Sequence, residues 1–212
     1  MRKAIGLIAL ACAAAVAGDV STSIQLPKPN TKGGMPLMQA LSERKSTREY
    51  GVEKLSTAVL SNLLWAAYGQ NRPDGRRTAP SAMNRQTVDI YVVLQEGAYL
   101  YQVKDHHLDL VAAGDHRAAA GRQDFVAAAP LNLVYVGDYA KMAGTPDEDK
   151  ALYSAAETGF VGQNVYLFCA SEGLATVIRA MVDRTELGKV LKLRPDQKIM
   201  LSQTVGYPKH TQ

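Results

Sequence analysis

Two short segments hold the residue types best suited to chemistry. Arg44-Lys45-Ser46-Thr47-Arg48 packs three cations and hydroxyl groups into five residues. Such a cluster suits a dianionic phosphate, which takes charge-assisted hydrogen bonds from guanidinium, ammonium and hydroxyl donors. Pro80-Ser81-Ala82-Met83-Asn84-Arg85-Gln86 is a Pro-led turn presenting Ser, Asn and Gln. Amides and hydroxyls of this kind read both the donor and the acceptor edges of a heterocycle or a polyol chain. Taken alone, the first segment also fits a solvated helix end, and Ser81 and Asn84 also fit turn capping.

In order along the chain, the two segments resemble the Arg-x-Ser-x-Arg/Lys and Pro-Ser-x-x-Asn-x-Gln elements of the nitroreductase superfamily of FMN-dependent oxidoreductases. Two more elements follow in family order: Gly162-Gln163-Asn164, expected to open an apolar helix leading to Glu172-Gly173-Leu174, and Val205-Gly206-Tyr207-Pro208-Lys209 at the end of a last strand. The resemblance covers residues 37–209. Leu63-Leu64-Trp65-Ala66-Ala67-Tyr68-Gly69, running on to Arg77-Thr78-Ala79-Pro80-Ser81-Ala82, is most similar to the branch holding the thiazoline and oxazoline dehydrogenases.

The resemblance implies an α+β fold, with a central, mostly antiparallel sheet flanked by helices, and an intertwined homodimer. It also implies an FMN site. Arg44, Lys45 and Ser46 are expected on phosphate and ribityl oxygens. Arg48 matches the cation beside the N1/O2 edge of the flavin ring, where a fixed charge stabilises the reduced anion. Pro80, Ser81, Asn84 and Gln86 are expected at the flavin. Gly173 and Leu174 match the turn whose backbone N–H faces flavin N5, a place where Gly allows close approach. Lys209 is expected as a last phosphate ligand. Thr87 stands where the family often has an aromatic residue or Pro, so the substrate side is not fixed by the motif.

The activity so implied is ping-pong transfer of hydride or electrons through flavin N5 to a small acceptor such as a nitroaromatic, quinone or enone. No side chain is assigned as acid or base. No Gly-x-Gly-x-x-Gly follows a strand and no P-loop is present, so NAD(P)H is expected only as a transient donor in vitro. The alternatives are an exported dehydrogenase that oxidises a small molecule or peptide heterocycle, and a non-catalytic flavin-binding protein. A metal reading of Asp105, His107 and Asp109 gives way to a polar hairpin turn, since no Cys/His cluster supports it.

The N-terminus sets the compartment. Arg2-Lys3, the apolar run from Ala4 and the small-x-small sequence Ala15-Val16-Ala17 read as a secretory signal over residues 1–17. The run is short of the about 20 apolar residues a bilayer span needs, so no stable membrane insertion is expected after cleavage. The protein is then periplasmic or extracellular, with lipidation of Cys12 a minor alternative. Cleavage also leaves Cys169 as the sole cysteine, which excludes an intrachain disulfide, and its apolar neighbours read as a buried, inert thiol. Net charge is +4, from 24 Lys and Arg against 20 Asp and Glu, and falls to +2 without Arg2 and Lys3. That mild balance, without interleaved aromatics, does not suggest nucleic acid; the expected partners are a small-molecule substrate and a second copy.

The surrounding elements must position these residues. Residues 18–35, with Pro27, Pro29, Gly33 and Gly34, read as an extended linker, and the flavin-binding domain as 36–212. A helix from Leu37 carries the Arg44 segment at its end. Ser56 is an N-cap for a helix that Gly69 ends, with Val59, Leu60, Leu63, Leu64 and Ala67 on one face. Val88 to Leu94 and Tyr99 to Val103 read as antiparallel strands, with short helical pieces from Ala112 to Ala129 and a central strand over Leu131 to Val136. Leu152 to Ser171 is a helix apolar on most of its circumference, expected to be buried on nearly all sides, with Gly159 and Gly162 admitting a neighbouring helix. Ile199 to Val205 is expected to close the sheet.

Overall fold

A computed structural model describes residues 22–209; the signal segment 1–17 and Cys12 lie outside the described residues. The strands β1 (Ser23–Gln25), β2 (Val88–Val93), β3 (Gly97–Gln102), β4 (His107–Ala113), β5 (Leu131–Asp138), β6 (Ala175–Arg179) and β7 (Gln197–Gly206) form one sheet in the order β1-β4-β3-β2-β5-β7-β6. Every neighbouring pair is antiparallel. Helices α1 (Leu37–Glu43), α2 (Thr57–Tyr68), α3 (Asp124–Ala128), α4 (Asp147–Ser171) and α5 (Arg184–Val190) flank it. The architecture is the expected α+β one.

Two-residue periodicity divides the sheet between two cores. Ile90 and Val92 of β2, with Leu133 and Tyr135 of β5, pack with Leu63, Leu64 and Ala67 of α2 and Val161, Val165 and Cys169 of α4. Tyr91, Val93, Val134 and Val136 face the other way, with Val126 of α3 and Leu187 of α5. All eight residues of β5 are buried because both of its faces are covered. One charged side chain lies within the second layer. Arg179 donates to the Ala120 carbonyl, Asn132 Oδ1, Ser202 Oγ and Thr204 Oγ1, tying β5, β6 and β7 together.

Local signals explain the helix ends. Ser56 accepts the Val59 N–H at 3.2 Å, as an N-cap should. Gly69 ends α2 at an ordinary φ; it is required because a Cβ there would lie 2.4 Å from the Trp65 ring. Asp147, Glu148 and Asp149 in the first turn of α4 complement its dipole. Its other end is a Schellman turn: Gly173 takes φ +66°, Leu174 N–H donates to the Cys169 carbonyl at 2.8 Å, and Gly173 N–H reaches Ala170 at 3.5 Å.

Several expectations are corrected. Residues 23–25 of the anticipated linker form an edge strand on β4, so the arm belongs to the folded unit where it is described. The polar turn is confined to residues 103–106, and His107–Ala113 is a strand that His107 and Asp109, beside the turn, concealed. Gly162-Gln163-Asn164 lies in the middle of α4, which starts at Asp147. Gly162 admits the Ile178 side chain of β6 and no helix, while Gly159 faces open space. β7 lies inside the sheet and β6 forms the edge. Within the single chain, α4 is buried on one face, with Leu152 (62% exposed) and Phe160 (47%) on its outer face, and α1 exposes Leu37, Met38 and Leu41; the burial on nearly all sides expected of α4 belongs to the expected homodimer.

Candidate functional site

Arg44 follows directly on α1, and its backbone N–H closes the helix by donating to Ala40 at 2.9 Å. Its guanidinium, half-buried, lies 5.0 Å from the centroid of the Tyr166 ring on α4. The Ser46 and Tyr166 hydroxyls are 2.8 Å apart, and the Tyr166 oxygen also accepts the Ile178 N–H at 3.0 Å. Thr47 N–H donates to the Thr176 carbonyl of β6 at 2.9 Å. The cationic segment is thus fixed against the end of α4 and the edge of the sheet.

The C-terminal residues close the other side. Gly51 N–H donates to Tyr207 O at 2.9 Å and Lys209 N–H to Glu49 O at 3.3 Å, so Lys209 is carried beside the cationic segment. A cleft of about 570 Å³ opens here, with Lys45, Thr47, Tyr166, Gly173, Leu174 and Pro208 among its walls. Lys45 and Arg48 are exposed, and among the described residues Arg44, Lys45, Arg48 and Lys209 form no ion pair. Burial pushes the Cys169 thiol well above its ordinary value, so the thiol behind this cleft stays protonated and inert.

Pro80, Ser81, Asn84 and Gln86 stand apart from that cleft. Ser81 Oγ accepts the Gln86 N–H at 2.7 Å, Asn84 N–H donates to the Ser81 carbonyl at 3.0 Å, and the Gln86 amide donates to Gly75 O at 2.9 Å and to Asn84 Oδ1 at 3.2 Å. Within one chain, then, Ser81 and Gln86 do the turn-building work that their residue types also fit. Pro80 and the Asn84 side chain are exposed. Met83, Asn84 and Gln86 all lie in the left-handed region, at φ near +52° to +54°. For residues other than Gly this costs about 1–2 kcal/mol each and persists only where the surroundings fix it. Gln86 lines a different cleft, with Gly75, Arg77 and Lys104.

Of the sequence-predicted residues, the structure therefore gathers Arg44, Lys45, Ser46, Arg48, Gly173, Leu174 and Lys209 on one side, and Pro80, Ser81, Asn84 and Gln86 on another. Tyr166 was not anticipated. Its signal was its place two residues after Asn164 in a helix ending at Gly173, which puts it within two turns of that end. A second cleft of about 610 Å³ meets the first region at Ser171 and Glu172, with Asn30, Asn62, Trp65 and Phe168 among its walls. Among the described residues no group of His, Cys, Asp and Glu could hold a metal ion, and no helix is long and apolar enough to cross a membrane.

Residues 41–207 match the profile of the Nitroreductase family. The chain belongs to the nitroreductase family. This membership makes it an FMN-dependent oxidoreductase. A nitroreductase-family protein of Methanocaldococcus jannaschii is 33% identical over 187 residues, covering 84% of this chain and 92% of that one. The solved structure of a nitroreductase-family protein of Ralstonia eutropha is 42% identical, with a TM-score of 0.87, over 92% of this chain and 93% of the other. A nitroreductase-family protein of Desulfovibrio desulfuricans solved in complex with FMN shares the fold, with a TM-score of 0.61 at 20% identity over 84% of this chain and 89% of that one.

Proposed function

We propose that this nitroreductase-family chain takes electrons from one small molecule and delivers them to another, such as a quinone, nitroaromatic or enone. In this reading it works as a homodimer whose FMN sites join Arg44, Lys45 and Ser46 of one copy to Ser81 and Asn84 of the second. The observation that carries the reading is a half-buried Arg44 seated on Tyr166 at a glycine-ended cleft, with no carboxylate paired to it or to Lys45. An unpaired cation cluster beside a mostly uncharged wall, in which Glu43 is the carboxylate among the described residues, fits a phosphate monoester joined to an uncharged ring system.

Bound FMN supplies the redox chemistry, accepting a hydride equivalent and giving it up again. Arg44, Lys45 and Lys209 hold the phosphate end, and the Ser46 hydroxyl, steadied by Tyr166, offers a hydrogen bond to a ribityl oxygen. Arg48, exposed and unpaired, supplies the fixed positive charge beside the ring. Gly173 leaves the backbone open to close approach: a Cβ there would meet nothing within 4 Å. The exposed apolar residues of α1 and α4 supply the dimer surface.

The proposal includes export, directed by residues 1–17. Free NAD(P)H is not expected outside the cytoplasm, so the physiological donor is a different reductant, whatever NAD(P)H does in vitro. Purified protein should be yellow and release FMN on denaturation. Anaerobic titration with NADH, NADPH and reduced quinols, followed by menadione or a nitrofuran, then identifies donor and acceptor. Release of FAD alone, or no flavin after reconstitution, refutes the reading; FMN that no donor reduces leaves a flavin-binding protein without turnover.

A further inference from the structure

Glu157 sits in the middle of α4, only 2% exposed, and forms no ion pair among the described residues. A buried carboxylate persists where hydrogen-bond donors surround it. Here there are three. The Tyr68 hydroxyl at the end of α2 and the Val88 N–H, at 3.1 Å, both donate to Oε1, and the Thr87 hydroxyl donates to Oε2 at 2.9 Å. Burial, then the neighbouring carboxylate, raises the Tyr68 hydroxyl pKa well above its ordinary value, so Tyr68 stays a donor. Arg77 lies over the Tyr68 ring, 4.3 Å from its centroid.

Thr87 and Val88 directly follow the strained 80–86 loop, whose left-handed Met83, Asn84 and Gln86 need external fixing. The loop's own bonds link Ser81 to Gln86, and from outside Gln86 Nε2 donates to Gly75 O at 2.9 Å, Arg85 donates to Thr145 Oγ1 and Lys141 donates to the Gln86 carbonyl at 3.3 Å. The chain beyond Gln86 is clamped at three atoms: Thr87 O accepts the Asp138 N–H at 2.8 Å, and Thr87 Oγ1 and Val88 N both donate to Glu157. Only an acceptor on both oxygens matches this set of donors. We infer that Glu157 is a positioning residue: from within α4 it holds the loop bearing Ser81 and Asn84 in its strained, ligand-ready form. The inference rests on the proposed FMN role of that loop.

The test uses flavin-free and FMN-loaded full-length protein carrying Glu157→Gln. The amide keeps one acceptor but turns an NH2 group into a shell of donors. Amide hydrogen exchange of the flavin-free variant should quicken about tenfold or more at Asn84, Arg85, Gln86 and Val88, with β5 and β7 unchanged. The Kd for FMN should rise about tenfold and the visible-region circular dichroism of the bound flavin should change. Thr158→Val, one residue along α4, removes a buried hydroxyl that has no partner; it should leave loop exchange and FMN affinity unaltered. If Glu157→Gln does not fold, Thr87→Val carries the test, with a smaller quickening expected at Gln86 and Val88. Uniform quickening across loop and sheet, or an unchanged loop in either variant, overturns the inference. A wild-type protein that binds no FMN overturns the functional reading instead, and loop exchange still decides the role of Glu157.

Discussion

Replacing Arg44 by Ala isolates the phosphate contact from the fold. The side chain's contact within the chain is the Tyr166 face at 5.0 Å, worth about 0.5–1 kcal/mol at a partly exposed site. Its helix-closing bond to Ala40 is made by the backbone and survives the change. Thermal stability should therefore hardly move. A hydrogen bond from a charged donor contributes about 1.5–3 kcal/mol, so FMN affinity should fall roughly tenfold to a hundredfold. Solvent reaches this half-buried group, so the lower half of that range applies at physiological ionic strength, where charges are screened over about 8 Å. Arg44→Lys keeps the charge but loses the planar fork and should fall between. Quenching of FMN fluorescence on titration with flavin-free protein, at low and high salt, gives the Kd. Riboflavin is the control, because it has no phosphate and should bind wild type and variant alike. An unchanged FMN affinity at low salt, or equal losses for FMN and riboflavin, refutes the assignment.

Two other perturbations follow. Leu152→Asp combined with Phe160→Asp, both on the outer face of α4, should convert a dimer to monomers in light scattering and abolish FMN retention; a wild-type monomer with full FMN occupancy refutes the composite site. Ser61 Oγ donates to Pro27 O at 2.6 Å and lies 2.7 Å from His106 Nε2, and the Tyr101 hydroxyl lies 2.8 Å from Nδ1, a chain that suits the neutral ring, with Nε2–H donating to Ser61 and Nδ1 accepting from Tyr101. Partial burial lowers its pKa below the ordinary 6.5. The folded state therefore binds fewer protons than the unfolded one, and this contribution is complete above about pH 6.5 and lost as pH falls through the folded value. Melting temperature should fall from pH 7.5 to 5.5 with earlier exposure of the arm at Pro27, and His106→Asn, which tolerates the left-handed φ of +48°, should flatten that slope. Equal slopes refute it.

Much of the frame was readable because local signals and burial agree. Ser56 and Gly69 bound α2, and the apolar, strand-forming run Leu133-Val134-Tyr135-Val136 of β5 marked a strand covered on both faces. β4 was missed because His107 and Asp109 alternate with Leu108 and Leu110 beside a turn, and the half-polar period resembled the turn itself. β1 was missed because three residues paired on a sheet edge carry no periodicity. The cationic segment and Gly173 were legible as types, and the structure adds the reason that they meet: the Schellman turn folds the chain back toward Thr47 and Tyr166. Glu157 was not legible. A lone acid within the apolar stretch from Leu152 to Ser171 has no sequence pattern, and its meaning lies in Tyr68 and Val88, far away along the chain.

The separation of the two candidate halves follows from α4 itself. The helix anchors the cationic half at its C-terminal turn, through Tyr166 and Gly173, and the 80–86 loop at its middle, through Glu157. From Glu157 to Ser171 is 14 residues, about 21 Å at 1.5 Å per residue. A rigid helix holds that spacing fixed, so one chain's loop cannot close over its own phosphate cluster without breaking the Glu157 contacts. In the dimer proposed above, a second copy packed along the exposed face of α4, through Phe160 and Leu152, would bring its own loop to the first copy's C-terminal turn with both helices intact. The apolar outer face, the distant loop and the unpaired cations are then consequences of one arrangement, and loss of the dimer should empty both flavin sites at once.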